Sequence, residues 1–304
     1  MKSYSLSSFT QKRPCVCALG CFDGIHIGHA SLIDTAKRIS KELSLPSLVW
    51  SFREPPKNYF SRENIPLLTT PDEKRETMRA LGVDIFISVT FEENIASLSA
   101  EDFFYNILIK KINAAHIVCG FNYRFGKGGA GDTAILAKLC EKNNIGLSVI
   151  PPVTLGDITV SSSEVRAALT EGRISDANML LGRPYSLRSK VVDGQHLGRA
   201  LGFPTLNQKF ESGKLVLKNG VYVSRVLFDG KKKYGITNVG SRPTVDGNSL
   251  CAETHIFDFK GDLYGKTVKV EFLEFLRPEQ KFESLDELTE QVHADIEKAK
   301  AIIK

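Results

Sequence analysis

The ten residues Gly20–His29, which read GCFDGIHIGH, constrain the fold of this chain more than any other stretch. The run before them, Cys15–Leu19, is short, apolar and strand-like, and it is bounded by a proline and a glycine. The run after them, Ala30–Leu45, carries apolar residues at helical spacing. The motif therefore lies where a strand feeds a helix, at the edge of an α/β sheet where ligands bind. Glycines, a helix N-terminus and two histidines at that edge favour an anionic ligand such as phosphate.

Two other interpretations of this motif remain open on these residues alone. His26 and His29 could be an ordinary surface pair at the start of a helix. They could also bind a metal ion together with Cys15, Cys17 and Cys21. Against the metal, the separations between cysteines and histidines are far shorter than in zinc fingers, and the cysteines alternate with apolar residues as buried side chains do.

The hydrophobic pattern changes near Gly182-Arg183-Pro184, which predicts two domains, residues 1–180 and residues 181–304. Before this point strand-like and helix-like segments alternate, which predicts an α/β domain with a parallel sheet and helices on both faces. The predicted strands are Val16–Leu19, Ser47–Phe52, Ile85–Phe91, His116–Cys119 and Leu147–Val153, and the predicted helices include Pro71–Leu81 and Ala100–Ile112.

Beyond the boundary, short alternating strands separated by Gly and Asp turns predict an antiparallel barrel or sandwich. These strands are Leu187–Val192, Val221–Phe228, Lys233–Asn238, Glu253–Phe257 and Thr267–Leu276. A terminal helix from about Ser284 follows, with Ser284 and Glu287 as its capping box.

Composition excludes several classes of protein. The 304 residues are 42% hydrophobic, with no apolar run near the roughly 20 residues of a membrane span and no signal-peptide pattern in the polar start. Six cysteines without regular spacing favour reduced thiols and a cytoplasmic location. The formal net charge of +5 is too dispersed to indicate nucleic acid, and Lys231-Lys232-Lys233 beside Asp229-Gly230 are interpreted as a solvated hairpin turn.

Two further segments of the first domain suit an anion. Gly120–Asp132 (GFNYRFGKGGAGD) follows a predicted strand and combines glycines with Arg124 and Lys127; alternatively, it is a flexible solvated loop. Val160–Leu169 (VSSSEVRAAL) carries a capping box and Arg166 one turn into a predicted helix, although such a cap can be purely structural.

In the second domain, three residues carry candidate chemistry. Thr205 and Asn207 are two apart, so an extended backbone would direct two neutral oxygens to one Mg²⁺, although a proline-bearing turn also explains the segment. Glu253 begins a predicted strand, where its carboxylate is either a proton acceptor for a hydroxyl group or a surface residue.

Taken in order, the motifs G-x-F-D-G-x-H-x-G-H, G-F-N-Y-R-F-G and S-S-S-x-x-R resemble the adenylyltransferase module of bacterial bifunctional riboflavin kinase/FAD synthetases. The resemblance implies a Rossmann-like nucleotidylyltransferase domain that adenylylates FMN with ATP and releases pyrophosphate. It assigns His26 and His29 to the ATP phosphates, Ser162 and Arg166 to the β- and γ-phosphates, and Asn122 to substrate or metal. The other binding positions that it implies are Gly20, Phe22, Asp23, Gly24, Gly28, Phe52 and Ser163, with Asp23 shaping the turn.

The chain departs from this family pattern in two places. The usual F-x-P-x-P on the flavin side reads Phe52-Arg53-Glu54-Pro55-Pro56, so Glu54 replaces the first proline. Ser163 stands where threonine is usual, which keeps the hydroxyl group.

From Leu181 onward, G-F-P-T-x-N, E-T-H-x-F-D-F and L-Y-G-K resemble the riboflavin kinase domain of the same family. The resemblance implies an antiparallel barrel that transfers the ATP γ-phosphoryl group to riboflavin. Glu253 would be the general base and Arg277 a flavin-side residue, while Thr205 and Asn207 would hold Mg²⁺. Gly198, Arg199 and Gly202 would lie in the nucleotide loop. Arg188-Ser189 departs from the family, which commonly has glycine before Lys190.

The sequence thus predicts a bifunctional transferase that makes FMN and then FAD. We expect ATP, riboflavin and FMN as substrates, Mg²⁺ as cofactor, and no nucleic acid, membrane or obligate protein partner. Two alternatives share the motifs: a kinase with a weakened adenylyltransferase, and a flavin-binding regulator without catalysis. A tRNA synthetase shares H-x-G-H, but 304 residues leave no room for an anticodon domain.

Overall fold

The computed structural model describes residues 1–7, 9–60, 64–194, 198, 201–244 and 247–303, with the backbone alone for 242–244 and 247–249. The predicted site residue Arg199 lies outside these ranges. The chain forms two compact units, Met1–Ser162 and Ser163–Lys304.

The first unit is built on six parallel strands. They are β1 (Lys2–Tyr4), β2 (Cys15–Leu19), β3 (Ser47–Phe52), β4 (Ile85–Val89), β5 (Ala114–Gly120) and β6 (Gly146–Ile150). Their order in the sheet is β1-β4-β3-β2-β5-β6. A hairpin follows, formed by β7 (Thr154–Leu155) and β8 (Ile158–Thr159). The order reverses between β2 and β5, and this switch point is where open α/β sheets bind ligands.

Helices connect these strands. They are α1 (Ile27–Glu42), α2 (Lys57–Phe60), α3 (Pro71–Ala80), α4 (Glu93–Ala96), α5 (Ala100–Asp102), a π-helix (Phe103–Ile109), a 3₁₀ turn (Lys127–Gly129) and α6 (Thr133–Lys142). The predicted α-helix over Ala100–Ile112 is therefore wrong in its type. Lys110 N–H donates to Tyr105 O over 3.0 Å, and this five-residue spacing widens the helix.

Strand β2 is buried on both faces, which explains its continuous apolar run. Cys15 and Cys17 belong to one core cluster with Leu19, while Val16 and Ala18 belong to the cluster on the other face. Burial raises the pKa of the Cys15 thiol to about 12. Among the described residues no three His, Cys, Asp or Glu side chains are grouped to hold a metal ion, so nothing supports the cysteine–histidine metal interpretation.

The second unit contains a closed six-stranded antiparallel barrel, which decides between the two predicted β architectures. Its strands are β9 (Tyr185–Val192), β10 (Thr205–Lys209), β11 (Gly220–Phe228), β12 (Lys231–Thr244), β13 (Gly247–Ile256) and β14 (Thr267–Arg277). They run in the order β10-β13-β12-β11-β14-β9, and β9 pairs with β10 to close the ring. The unit also holds most of α7 (Ser162–Glu171), all of α8 (Ile174–Leu181) and α9 (Leu285–Ile303).

The predicted lysine turn is wrong. Asp229 and Gly230 form the turn between β11 and β12 with φ angles of 48° and 71°, and Lys231 already pairs with Phe228. Two residues with positive φ suffice for a tight hairpin, so the lysines belong to β12, where Lys231 and Lys232 are exposed.

Helix α8, near the predicted boundary, is bonded to the barrel. Asn178 of α8 donates from Nδ2 to Phe272 O over 2.9 Å, and its Oδ1 accepts from Tyr185 N–H. The boundary after residue 180 stays a prediction. At the other end, Ser284 Oγ accepts from Glu287 N–H, whereas the Glu287 carboxylate accepts from Glu283 N–H, so half of the predicted capping box forms.

Candidate active sites

The histidine turn, Gly20–His29, joins β2 to α1 through a backbone that few side chains adopt. Phe22, Gly24 and Ile25 have φ angles of 51°, 80° and 45°, in the left-handed region. For phenylalanine and isoleucine this conformation is strained, and it persists only where the surroundings hold it. Both side chains are fully buried in the core, which supplies that restraint.

Asp23 bonds the histidine turn to two other segments of the first unit. Its carboxylate is buried and accepts from Leu68 N–H over 3.1 Å and from Thr69 N–H over 3.2 Å. Ser162 Oγ donates to the Asp23 carbonyl over 2.8 Å. Charge-assisted bonds to backbone N–H groups are among the stronger ones. These bonds tie the turn to the segment Leu68–Thr69 and to Ser162, and the role of Asp23 in shaping the turn stays a prediction.

His26 and His29 are stacked at the start of α1. His26 is the N-cap: its Nδ1 accepts from His29 N–H over 3.2 Å, and the two rings lie 3.7 Å apart at 16°. A Cβ on Gly28 would lie 3.1 Å from His26 Nδ1, so glycine leaves room for the ring. In this arrangement Nε2 is the His26 nitrogen left to carry the proton.

A cavity of about 340 Å³ lies at the carboxyl ends of β2 and β5 and brings most of the predicted residues together. Those that line it are Gly20, His26, Gly28, His29, Phe52, Asn122 and Ser162. Phe22, Asp23 and Gly24 are not among its lining. Ser163 and Arg166 follow Ser162 in α7 and belong to the second unit.

The glycine-rich loop after β5 is anchored, contrary to its interpretation as flexible. Phe125 and Gly131 exchange two backbone hydrogen bonds of 3.1 and 2.8 Å. Gly126 has a φ of 72°, and a Cβ there would lie 2.7 Å from Ala100 N, so glycine is required. Arg124 lines the cavity, with its guanidinium 3.7 Å from the Asp132 carboxylate.

The segment Phe52–Pro56, where the family pattern breaks, reaches the same cavity. Phe52 and Pro56 line it, whereas Glu54 is exposed and is not among the lining. The Phe52 ring makes an edge contact with Phe91 at 5.3 Å between centroids. The substitution therefore spares the two residues that face the cavity.

A second cavity, of about 410 Å³, lies in the barrel unit, and strand register explains its lining. Asn207 of β10 pairs with Glu253 of β13, which pairs with Asn238 of β12. Asn238 pairs with Val221 of β11, and Val221 pairs with Arg277 of β14. One row across five strands thus supplies a carboxylate, two amides and a guanidinium to one cavity.

Arg277 is fixed by the final helix. Its Nε donates to Asp295 Oδ1 over 3.1 Å and its Nη2 donates to Oδ2 over 2.8 Å, and Asp295 is 3% exposed. Gln291 Nε2 donates to the same carboxylate over 3.0 Å. This bidentate pair ties α9 to β14 beside the cavity.

The predicted metal ligands also meet here. Thr205 and Asn207 line the cavity on the same strand, two residues apart. Asn207 Oδ1 is buried and has no hydrogen-bond partner among the described residues. A Cβ on Gly194 would collide with the Asn207 amide, so that glycine leaves the amide its space.

A smaller cavity of about 70 Å³ shares Thr205 with the larger one. Tyr264, Phe259 and Pro204 are among its lining. Gly198 lines the larger cavity, and Gly202 has a φ of 91°.

Several lining residues escaped the sequence analysis. Asn238 and His255 line the barrel cavity because they pair across the sheet with Glu253 and Thr205, respectively. Asp295 lines it because its carboxylate accepts from Arg277. Strand pairing, which the sequence pattern does not encode, would have been needed to find the first two.

Comparison with known proteins agrees with both motif sets. A family model for FAD synthetase matches residues 8–164, and one for riboflavin kinase matches residues 181–303. The bifunctional riboflavin kinase/FMN adenylyltransferase of Listeria monocytogenes is 35% identical over 289 residues, which cover 94% of this chain and 91% of that protein. The chain belongs to the bifunctional riboflavin kinase/FMN adenylyltransferase family. The relative from Escherichia coli strain K12 is also 35% identical, over 92% of this chain and 90% of its own.

Membership confirms the resemblance, the transferase class and the bifunctional interpretation drawn from the motifs. The parallel sheet and the antiparallel barrel with its final helix confirm the predicted fold class. A crystal structure described as a macrolide-efflux protein from Streptococcus pneumoniae has a TM-score of 0.88 and 33% identity, and the match covers 97% of each chain. Among the described residues of the present chain, no helix is long and apolar enough to cross a membrane.

Proposed function

We propose that the barrel unit phosphorylates riboflavin to FMN with ATP and that the histidine-turn cavity then adenylylates FMN to FAD with release of pyrophosphate. The observation that carries this proposal is that each motif set converges on a cavity of its own. Both substrates of each step are small molecules. Six free cysteines support the further proposal of a reducing, cytoplasmic environment.

In the kinase step, Glu253 accepts the proton of the riboflavin 5′-hydroxyl as its oxygen attacks the γ-phosphorus of ATP. Asn207 and Asn238 are the register neighbours of Glu253 on the two adjacent strands. Arg277, held by Asp295, binds the flavin side. The nucleotide loop comprises Gly198, Gly202 and Arg199, the last being outside the described residues.

The donor set at the barrel cavity fits Mg²⁺. Thr205 and Asn207 offer neutral oxygens, and the buried Asn207 Oδ1 lacks a partner among the described residues. Magnesium prefers such hard oxygen ligands and keeps several waters. Held there, the ion would neutralise charge on the ATP phosphates.

In the adenylylation step, the FMN phosphate attacks the α-phosphorus of ATP, and the chain contributes positioning and positive charge rather than a covalent intermediate. His26 and His29 donate to the ATP phosphates at the helix N-terminus. Asn122 and Ser162 orient the substrates, and Arg166 binds the departing β- and γ-phosphates. Because Arg166 lies in α7, we keep residues 1–180 as the proposed adenylyltransferase domain and residues 181–304 as the kinase domain.

The direct test is product analysis. Purified protein supplied with riboflavin, ATP and Mg²⁺ should accumulate FMN and FAD, resolved by chromatography. Neither product would contradict the proposal and leave a flavin-binding regulator. FMN alone, with no FAD even when FMN is supplied, would instead favour a kinase with a weakened adenylyltransferase.

Arg166→Ala is expected to lower FAD formation from FMN by about 10²–10³-fold, because it removes a cation from the leaving pyrophosphate. FMN formation from riboflavin should stay within twofold of wild type. Initial rates of both steps in the same preparation measure this. Equal loss of both activities in a folded protein would contradict two separate sites.

Two variants of the Phe52–Pro56 segment test whether the departure at Glu54 matters. Phe52→Ala should raise the KM for FMN about tenfold, since it removes a ring from the cavity. Glu54→Pro, which restores the family pattern at an exposed position, should change that KM less than twofold. A larger effect of Glu54→Pro than of Phe52→Ala would reverse this interpretation.

A further inference from the structure

Lys74 of α3 is a lysine that lies almost wholly inside the first unit. It is 1% exposed, and burial lowers its pKa. Buried ammonium groups need hydrogen-bond acceptors to offset lost hydration. Lys74 Nζ donates to Phe52 O over 2.7 Å, to Cys21 O over 3.0 Å and to Ser51 Oγ over 3.4 Å. These three acceptors match the three donors of the ammonium group.

The acceptors lie where two strands separate. The register of β2 and β3 ends at Leu19 and Trp50, followed by a backbone bond from Gly20 N–H to Trp50 O. Beyond this bond, the backbone after β2 enters the histidine turn, and the backbone after β3 enters the segment Phe52–Pro56. Lys74 Nζ donates to Cys21 O in the histidine turn and to Phe52 O in the other segment. It therefore links the two segments beyond the last backbone hydrogen bond between them.

The helix that carries Lys74 is itself fixed to the histidine turn. Thr70 and Glu73 form a complete capping box at the start of α3. The residues just before it, Leu68 and Thr69, donate their N–H groups to the Asp23 carboxylate. Lys74 therefore extends from the anchored start of α3 and bonds to both segments, the histidine turn and Phe52–Pro56, that line the cavity.

We propose that Lys74 is a positioning residue for adenylyl transfer, which sets the separation between the histidine turn and the segment Phe52–Pro56. This inference rests on the proposed function, in which the turn binds ATP and the segment binds the flavin side of FMN. In-line attack requires the two substrates in near-contact geometry, and a displacement of about 1 Å can cost 10²-fold in rate. Lys74 controls that displacement without lining the cavity.

The test is Lys74→Met, which keeps an unbranched side chain one atom shorter and removes its charge and donors. We expect kcat for FAD formation to fall about 10–100-fold and the KM for FMN to rise. The KM for ATP in the same reaction should stay within threefold, and riboflavin phosphorylation within twofold. Lys74→Arg retains the charge and the donors, and its kcat for FAD formation should be at least tenfold higher than that of Lys74→Met. Lys142→Met, at an exposed lysine of α6, is the matched control and should leave every constant unchanged.

Unchanged FAD kinetics in Lys74→Met would overturn the proposal, as would a parallel loss of ATP affinity, FMN affinity and kinase activity. If Lys74→Met does not fold, Ser51→Ala decides, because it removes the hydroxyl that accepts from Lys74 and donates to Cys21 O over 2.7 Å. It should lower FAD formation severalfold with the same KM pattern, and wild-type kinetics would overturn the proposal. Absence of FAD from wild-type protein would instead refute the proposed function itself.

Discussion

Glu253→Gln is expected to lower FMN formation from riboflavin by about 10²–10⁴-fold, the range for loss of a general base. The amide keeps the shape of the side chain and its place between Asn207 and Asn238, but it cannot accept the hydroxyl proton. FAD formation from supplied FMN should stay within twofold of wild type, because the other cavity contains no part of β13. Initial rates of the two reactions at saturating ATP measure both expectations.

Glu211→Gln is the matched control for this variant, since Glu211 is exposed in the loop after β10. It should leave both activities at the wild-type level. A Glu253→Gln enzyme that still phosphorylates riboflavin within tenfold of wild type would show that the proton leaves by another route. Loss of both activities would point to misfolding, which thermal unfolding of the variant would reveal.

His29→Asn is expected to lower FAD formation by about 10²–10³-fold while FMN formation continues. The substitution removes a cavity-lining imidazole that stacks on His26 at 3.7 Å. It retains the backbone N–H of residue 29, which donates to His26 Nδ1, so the cap of α1 survives. Substitution of His26 would mix the catalytic effect with a lost cap, worth about 1 kcal/mol.

His116→Asn provides the comparison for this second variant. His116 lies on β5, where its Nε2 is bonded to Ser148 Oγ over 2.9 Å, and it is not among the cavity lining. FAD formation should be unaffected by it. If His29→Asn retains FAD formation within threefold, the histidine pair is structural and the ATP phosphates are bound by other residues.

The first cavity was largely predictable from sequence because its determinants are local. A strand, a glycine-rich turn and a capped helix are each encoded within about ten residues, so His26, His29 and Asn122 could be assigned to one sheet edge before the sheet was known. What the pattern missed is Lys74, because a lysine in an amphipathic helix ordinarily indicates a solvated face.

The barrel cavity was predictable only in part. Its chemistry depends on pairing between strands that are far apart in sequence, such as Asn207 with Glu253. Alternating hydrophobicity identifies strands but does not fix their partners. The pair Arg277–Asp295 shows the same limit, since its acceptor comes from a separate helix. Thr205 and Asn207 could be predicted because both lie on one strand.

The left-handed backbone at Phe22 and Ile25 has a consequence for protein engineering. The ten-residue motif does not encode its own shape. The burial of the Phe22 and Ile25 side chains, the Asp23 bonds to Leu68 and Thr69, and the contact of Lys74 with Cys21 hold it. Grafting Gly20–His29 onto a foreign strand–helix junction would transfer the histidines but not their geometry. To keep the geometry, a graft would have to include the segment Leu68–Lys74 as well as the histidine turn.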